Sequence, residues 1–360
     1  MSTSNLDAYD LSQVPLDGEI NEEVLQQLIR VDEWDNPFLA MCGGGKSGNP
    51  YYSWTTRDYA PPALDGQLVD GADATGNDTR TGIRVGNHVQ ILNKVVKVSE
   101  GAQSANTIGY ANALALQIQE RGVELNRTIS AQLCSNNASR EGTDTVAGRT
   151  AGLNAWLNNR NIQDDADTGV IQSVASAGAS TDGGWVNRTG NTVPGRTYTG
   201  VTPGAMSETA FKDACQAIYE QGGNPTKILA RPGAIRKMSE YFFTSGARIA
   251  TLDSQVPQST TGGLNAQGRV NVWISDFSAV TLIPDRNLLI ADATTGSDTV
   301  FILDPSQLDK VDYRAMSLNN LAKTGTADNR QLVWYGGARV KAWPRCGAIV
   351  DVDITEDMVA

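Results

Sequence analysis

A run of seventeen residues, IRVGNHVQILNKVVKVS (83–99), constrains this chain more than any other stretch. Ile83, Val85, Val89, Ile91 and Val95 fall on one face of an alternating run, and Arg84, His88, Gln90 and Lys94 on the other. Period two predicts a strand with one apolar and one polar face. Upstream, YYSWTTRDY (51–59) has the aromatic and Thr content of a second strand. Between them lies APPALDGQLVDGADATGNDTRTG, whose Pro, Gly, Asp and Asn break any regular element. Two strands around a wide polar tip make a long antiparallel arm. An isolated hairpin is barely stable in water, so its apolar face is expected to lie against something else.

The strongest helical pattern follows, over about 107–135. Leu114, Ile118, Leu125, Ile129 and Leu133 recur at helical spacing, and Asn106 is a suitable cap. Such a helix would be about 43 Å long at 1.5 Å per residue. A shorter helix is predicted at 149–159, and INEEVLQQLI puts Ile20, Val24 and Leu28 on one stripe near the start. Residues 160–204 read as an irregular excursion. Within it Asp164, Asp165 and Asp167 lack the glycine and distal Glu of a calcium loop, which leaves a solvated turn. Beyond it, SETAFKDACQAIYEQGG predicts a helix from Ser207 to Gly222 with Phe211, Ala214, Cys215 and Ile218 as its buried stripe. A strand at TKILARP and a helix at GAIRKMSEYFFT come next. Then come two strands around a turn at Ser275–Ser278, a strand at TVFILDP, and a strand-rich tail over 330–354.

Candidate chemistry is sparse. The stretch AMCGGGKSG (40–48) nearly spells a phosphate-binding loop, with Gly45, Lys46 and Ser47 in place. A phosphate loop needs a helix at its exit, whose N–H groups meet the phosphates. Here Gly48, Asn49 and Pro50 follow, then a strand pattern. The run reads better as a glycine connector, and a nucleotide enzyme using Lys46 is the alternative it leaves open. His88, the sole histidine, sits in a strand-like run, which excludes a histidine-rich metal site. Cys42, Cys134, Cys215 and Cys346 are far apart and predict reduced, mostly buried thiols. Trp54, Tyr59, Trp334 and Trp343 read as core or interface. No catalytic constellation, metal site or cofactor site is expected.

The net charge of −11 argues against nucleic-acid binding over the whole surface. No apolar run has membrane-spanning length, and no secretory signal precedes the first helix.

Several patterns occur together in a fixed order: VGNHVQILNKVVKVS, AGRTAGLNAWL, SETAFKDACQAIYEQGGNPTKILARPGAIRKMSEYF, VNVWISDFSAVTLIPDRNL, and VFILDPSQLDKVDYRAMSLNNLAKTGTADNRQLV. In this order the chain resembles the major capsid proteins of tailed bacteriophages, which have the HK97-like fold. The resemblance covers most of 83–350. It implies an α+β shell-building protein and not an enzyme, found in the virion and, during assembly, in the host cytoplasm. By the resemblance, 1–50 would be an N-terminal arm and 51–99 an extended β-hairpin loop lying over a neighbouring subunit. Residues 100–204 would form the peripheral domain with its long spine helix, 205–300 the axial domain, and 301–360 the return strands of the peripheral domain. Partners would be further copies in hexamers and pentamers, with scaffolding, portal and decoration proteins; DNA would be enclosed without sequence-specific contact, and no membrane is involved. Tyr52, Trp54, Tyr59, Val85, Val89, Ile91 and Lys94 of the hairpin loop are the expected subunit-interface residues. An encapsulin-type compartment and a tail or fibre component are the other structural alternatives.

Overall fold

The computed structural model describes residues 35–57, 82–105, 112–157, 170–173, 203–244, 272–289, 298–323 and 325–359, with scattered positions between 59 and 79. The helix expected near residue 20 and the Asp164–Asp167 turn lie outside these residues. Elements run α1 (Pro37–Met41), β1 (Gly43–Lys46), β2 (Tyr51–Thr56), β3 (Ile83–His88), β4 (Gln90–Ser99), α2 (Glu100–Ser104), α3 (Ala113–Leu133), α4 (Leu153–Leu157) and β5 (Val170–Ser173). There follow α5 (Glu208–Glu220), β6 (Lys227–Ala230), α6 (Pro232–Thr244), β7 (Val272–Ile274), β8 (Ala279–Pro284), β9 (Asp298–Leu303), β10 (Leu308–Asn320), β11 (Ala327–Val340) and β12 (Gly347–Val352). They build a four-stranded sheet in the order β1-β10-β11-β4, a six-stranded sheet in the order β5-β12-β9-β6-β8-β7, and the two-stranded hairpin β2-β3.

The six-stranded sheet stands between two apolar cores, because side chains along a strand alternate between its faces. On β9, Phe301 and Leu303 enter one core while Val300 and Ile302 enter the other. On β6, Leu229 faces the first core and Ile228 and Ala230 the second; on β12, Ala348 and Val350 oppose Ile349 and Val352. Burial on both faces explains why these strands read as unbroken apolar runs without alternation. The second core is completed by α5, whose Phe211, Ala214, Cys215 and Ile218 are buried as the helical spacing predicts. The turn between β7 and β8 closes with the Ser275 N–H donating to the Ser278 carbonyl at 2.9 Å.

The first core gathers α3, α4 and the four-stranded sheet around Trp156, Trp334 and Trp343. Helix α3 begins later than the periodicity predicts. Asn112, not Asn106, caps it, its side chain accepting from the Ala115 N–H at 3.0 Å. Its 21 residues are about 32 Å long at 1.5 Å per residue. Only Leu125, Ile129, Ser130 and Leu133, all in the C-terminal half, are buried.

The sheets are also joined late in the chain, and one expectation is corrected. The tail beyond 300 is divided between sheets: β10 and β11 join the four-stranded sheet, while β12 lies between β5 and β9 in the other. The glycine run at 43–46 is not a connector but β1, parallel to β10 with Gly43 opposite Asp309. Asp309 is nearly buried, accepts from Arg339 Nε at 2.9 Å and pairs with Lys341 Nζ at 2.9 Å. A Cβ on Gly43 would stand 2.5 Å from the Asp309 Oδ1 atom. Because two cations hold that carboxylate, it cannot swing aside. Gly43→Ala is therefore expected to lower stability by about 1–3 kcal/mol through overpacking, seen as a lower denaturation midpoint, whereas Gly44→Ala, which meets nothing within 4 Å, should leave the midpoint unchanged.

Candidate subunit interface

The hairpin β2-β3 and the sheet strand β4 meet at residues 87–90, and this junction is held by the chain's own body. Asn87 is fully buried. Its Oδ1 accepts from the N–H groups of His88 and Ala151, each at 2.9 Å. Its Nδ2 donates to the carbonyls of Ala338 at 2.9 Å and Ala151 at 3.2 Å. The Tyr52 hydroxyl donates to the same Ala338 carbonyl at 2.7 Å. Gly337 leaves room for that hydroxyl, since a Cβ there would run into Tyr52 and Thr150. Trp54 Nε1 donates to the Lys341 carbonyl at 3.2 Å, and its ring begins a run of tilted ring contacts through Trp156 at 5.3 Å to Trp343 at a further 5.9 Å. The Val89 N–H donates to the Pro50 carbonyl at 2.8 Å, closing the junction.

This geometry revises the expected interface. Tyr52 and Val85 are buried by their own chain, Trp54 is half-buried against its own core, and Val89 is partly covered at the junction. The alternation alone implies one face running from 83 to 95. In fact the chain changes partner at Val89. β3 pairs with β2, from Tyr51 opposite His88 to Thr56 opposite Ile83; β4 pairs with β11, from Gln90 opposite Gly336 to Ser99 opposite Ala327. Beyond the junction the inward face carries Leu92, Val96 and Val98. Lys94 shares that face and pairs with Glu124 of α3 at 3.5 Å, so it belongs to the body. The opposite face carries Ile91 and Val95, which are 60% and 54% exposed, and Tyr59 on the hairpin is 98% exposed. These three of the described apolar groups stand in water.

Two further exposed sets escaped the sequence reading. Tyr313, Met316 and Leu318 of β10 and Leu321 just beyond it are exposed, where bulges at 312–314 and 314–317 hide any alternation. Val272 and Ile274 on the edge strand β7 and Phe277 in the adjoining turn are exposed, with Phe277 beside exposed Tyr219 at 5.5 Å between ring centres. Single exposed apolar residues mean little, but clusters of them mark interaction surfaces.

Lys46 lies at the end of a strand, and no helix leaves the glycine run, so the backbone donors of a phosphate loop are not formed. The described residues contain no group of three or more metal-ligating side chains, and no described helix is long and apolar enough to cross a membrane. The four cysteines are free thiols, and burial pushes Cys215 up to about 11 and Cys346 up to about 12. Such thiols stay protonated and unreactive. Asp309 is a firmly held charge: burial pushes its carboxyl up, but hydrogen bonds and charge from Lys341 and Arg339 outweigh that and hold it below the usual carboxylate range.

A chain with a long helix against one sheet, a projecting hairpin, a second sheet flanked by α5 and α6, and exposed apolar groups on its projecting parts has the α+β architecture of HK97-like capsid proteins. The capsid protein of cyanophage A-1(L) superposes with a TM-score of 0.58 at 11% identity, covering 93% of this chain and 97% of that one. The holo-SrpI encapsulin of Synechococcus elongatus PCC 7942 superposes with a TM-score of 0.52 at 11% identity, covering 98% of both. A model of the SU10 major capsid protein family matches residues 3–353, and the chain belongs to that family. The major capsid protein of Escherichia phage Phieco32 is 30% identical over 113 residues, a stretch that covers 31% of this chain and 31% of that protein.

Two outcomes follow at the junction. Asn87→Ala leaves several buried backbone groups without partners and should lower stability by about 2–3 kcal/mol, with faster amide exchange across Tyr51–Thr56 before global unfolding. His88 is buried beside the Tyr51 ring at 4.9 Å, and burial holds its imidazole below the ordinary value, with Glu141 opposing. Below about pH 6.5 the unfolded chain takes up a proton that the native site refuses, so the native state loses stability as pH falls through that range toward its own lower value. The stability of the wild type relative to His88→Phe should thus decline from pH 7.5 to pH 5.5 in paired urea titrations; a flat or rising difference would contradict this.

Proposed function

We propose that this protein builds an icosahedral shell around phage double-stranded DNA, in hexamers and pentamers of identical chains. The observation that carries the reading is the division of its surface: the junction and both cores are buried within the chain, while Tyr59 beyond the hairpin strand and Ile91 and Val95 on the edge strand β4 keep their apolar surface in water. Family membership favours a phage capsid over an encapsulin-type compartment. In this reading 1–50 is an arm reaching a neighbour, and 51–99 is a loop whose root stays on its own body and whose tip lies over the next subunit. Residues 100–204 with helix α3 and strands β10 and β11 form the peripheral domain. Residues 205–300, joined by β12, form the axial domain. The exposed Val272, Ile274, Phe277 and Tyr219 of that domain are suited to contacts around the symmetry axes. Scaffolding and portal proteins would set curvature and the packaging vertex, and a decoration protein would add to the outer surface. The net charge of −11 limits adhesion to the packaged polyanion. The protein would work in the virion after assembling in the host cytoplasm.

Each contact need only be modest, because one patch repeated by symmetry closes the whole surface. Electron microscopy of the protein expressed with its scaffold and portal should show closed shells. Monomers alone under those conditions would overturn the reading; tubes or fibres would favour a tail component, and shells that load a cargo peptide instead of DNA would favour a compartment. Millimolar ATP should leave the melting temperature unchanged; stabilisation lost on Lys46→Ala would revive the nucleotide-enzyme alternative.

A further inference from the structure

We propose that Asp285 and Asn287 form a latch on the base of the N-terminal segment, and that the latch closes more tightly when Asp285 is uncharged. Both residues lie in the connection after β8, and the segment they grip is 35–41. Asn287 Nδ2 donates to the Asp35 carbonyl at 2.8 Å and to Asn36 Oδ1 at 2.9 Å. Asn36 stands at the cap position of α1, yet its side chain makes no capping bond, because that oxygen is given to Asn287. Arg127 of α3 donates to Asn287 Oδ1 at 3.4 Å. The amide thus uses both of its donors and its acceptor, and it ties the segment to the long helix and to the β8–β9 connection at once. Phe38, just beyond, enters the first core.

Asp285 is the weak point of this grip. It is fully buried. Its Oδ1 accepts from the Asn287 N–H at 2.8 Å, and its own N–H donates to the Ala230 carbonyl at 2.9 Å. Its Oδ2 has no hydrogen-bond partner among the described residues. A buried carboxylate held by one oxygen is costly when ionised, and the groups that face it do not repay the cost. From the gripped segment come the Asp35 carboxylate, which opposes its charge, and the Phe38 N–H, which favours it. From α3 come the buried Cys134 thiol and Arg127, whose guanidinium is directed to Asn287. Arg231 after β6 pairs with Asp298 at 3.2 Å, and Arg286, next in the chain, forms no ion pair with Asp285. Burial first, and then Asp35, hold the carboxyl above its ordinary range against the N–H groups of Asn287 and Phe38. When the latch opens, the carboxyl meets water and returns to that range. The closed latch therefore binds a proton more readily than the open one, so its hold is greatest at low pH and is lost as pH rises through the raised value. Residues 1–34 continue from this base. The inference rests on the reading of 1–50 as a reaching arm and adds to it a base whose hold on the body is set by one charge.

Amide exchange in the full, unassembled chain tests it. The Ala40 and Cys42 N–H groups donate to the Asn36 and Phe38 carbonyls, so their protection, corrected for intrinsic exchange, reads the opening of the base. Asp285→Asn keeps the shape and removes the charge. It should raise that protection roughly threefold or more over the wild type at pH 7.5, and the gain should shrink as pH is lowered toward about 4.5. Asp35→Asn, at an exposed position, should act in the same direction with no change to the buried groups. Asn287→Ala should lower the protection about tenfold at both pH values. Either charge-removing variant that folds like the wild type yet protects these amides no better at pH 7.5 overturns the proposal, and so does a gain that does not shrink with falling pH. If Asp285→Asn disturbs the fold, Asp35→Asn decides alone. Because the chain is measured free, a wild type that never assembles leaves this result as it is and counts against the shell reading instead.

Discussion

The rest of the structure depends on one buried amide. Asn87 ties the strand entering the body to Ala151 beside α4 and to Ala338 of β11, and Tyr52 shares the Ala338 carbonyl. Through it the hairpin root, the four-stranded sheet and the tryptophan core become one unit. A buried amide can satisfy its donors and acceptor only in one arrangement, so the junction sets the direction in which the hairpin leaves. Such a fixed departure is what a reaching segment needs if it is to meet a neighbour at a defined place. The two-faced six-stranded sheet continues the same logic at the other end of the chain. Because β9, β6 and β12 each serve both cores, the unit bearing β7 is held to the unit bearing α3 by packing on a shared sheet.

Much of this was legible in the residues, for reasons that are local. The stripe of α5 and the turn at Ser275–Ser278 depend on side chains close in sequence, and helical period and turn chemistry report them directly. Leu125, Ile129 and Leu133 of α3 are of the same kind. What could not be read is where a strand changes partner. Alternation from Ile83 to Val95 looked continuous, yet Val89 separates two sheets and the inward face changes there, so that Gln90 is buried and Ile91 exposed. The pleat reports faces, not partners. The glycine run at 43–46 failed differently. Its glycines are required by Asp309 and its cations, residues more than 260 positions away in the chain, and no local signal carries that contact.

The interface residues divide along the same line. Tyr52, Val85 and Lys94 proved to serve the chain's own body, since long-range contacts with Ala338, the first core and Glu124 claim them. Tyr59 and Ile91 remain uncovered. The division is physically sensible. A loop anchored by aromatic rings and buried hydrogen bonds at its root loses little further entropy there on assembly, and its exposed apolar groups gain most when a partner covers them. Modest contacts of this kind, repeated by symmetry, suit a protein that must fold as a single chain and still close into a shell.

Amide hydrogen exchange, compared between the free chain and assembled particles, tests the central claim most directly. If the root is held within the chain and the exposed side of β4 is covered only between chains, protection over 51–56 and 84–88 will be the same in both states, while the amides of 91–97 that point away from β11 gain protection on assembly. Protection gained at the root with none on β4 would contradict the account.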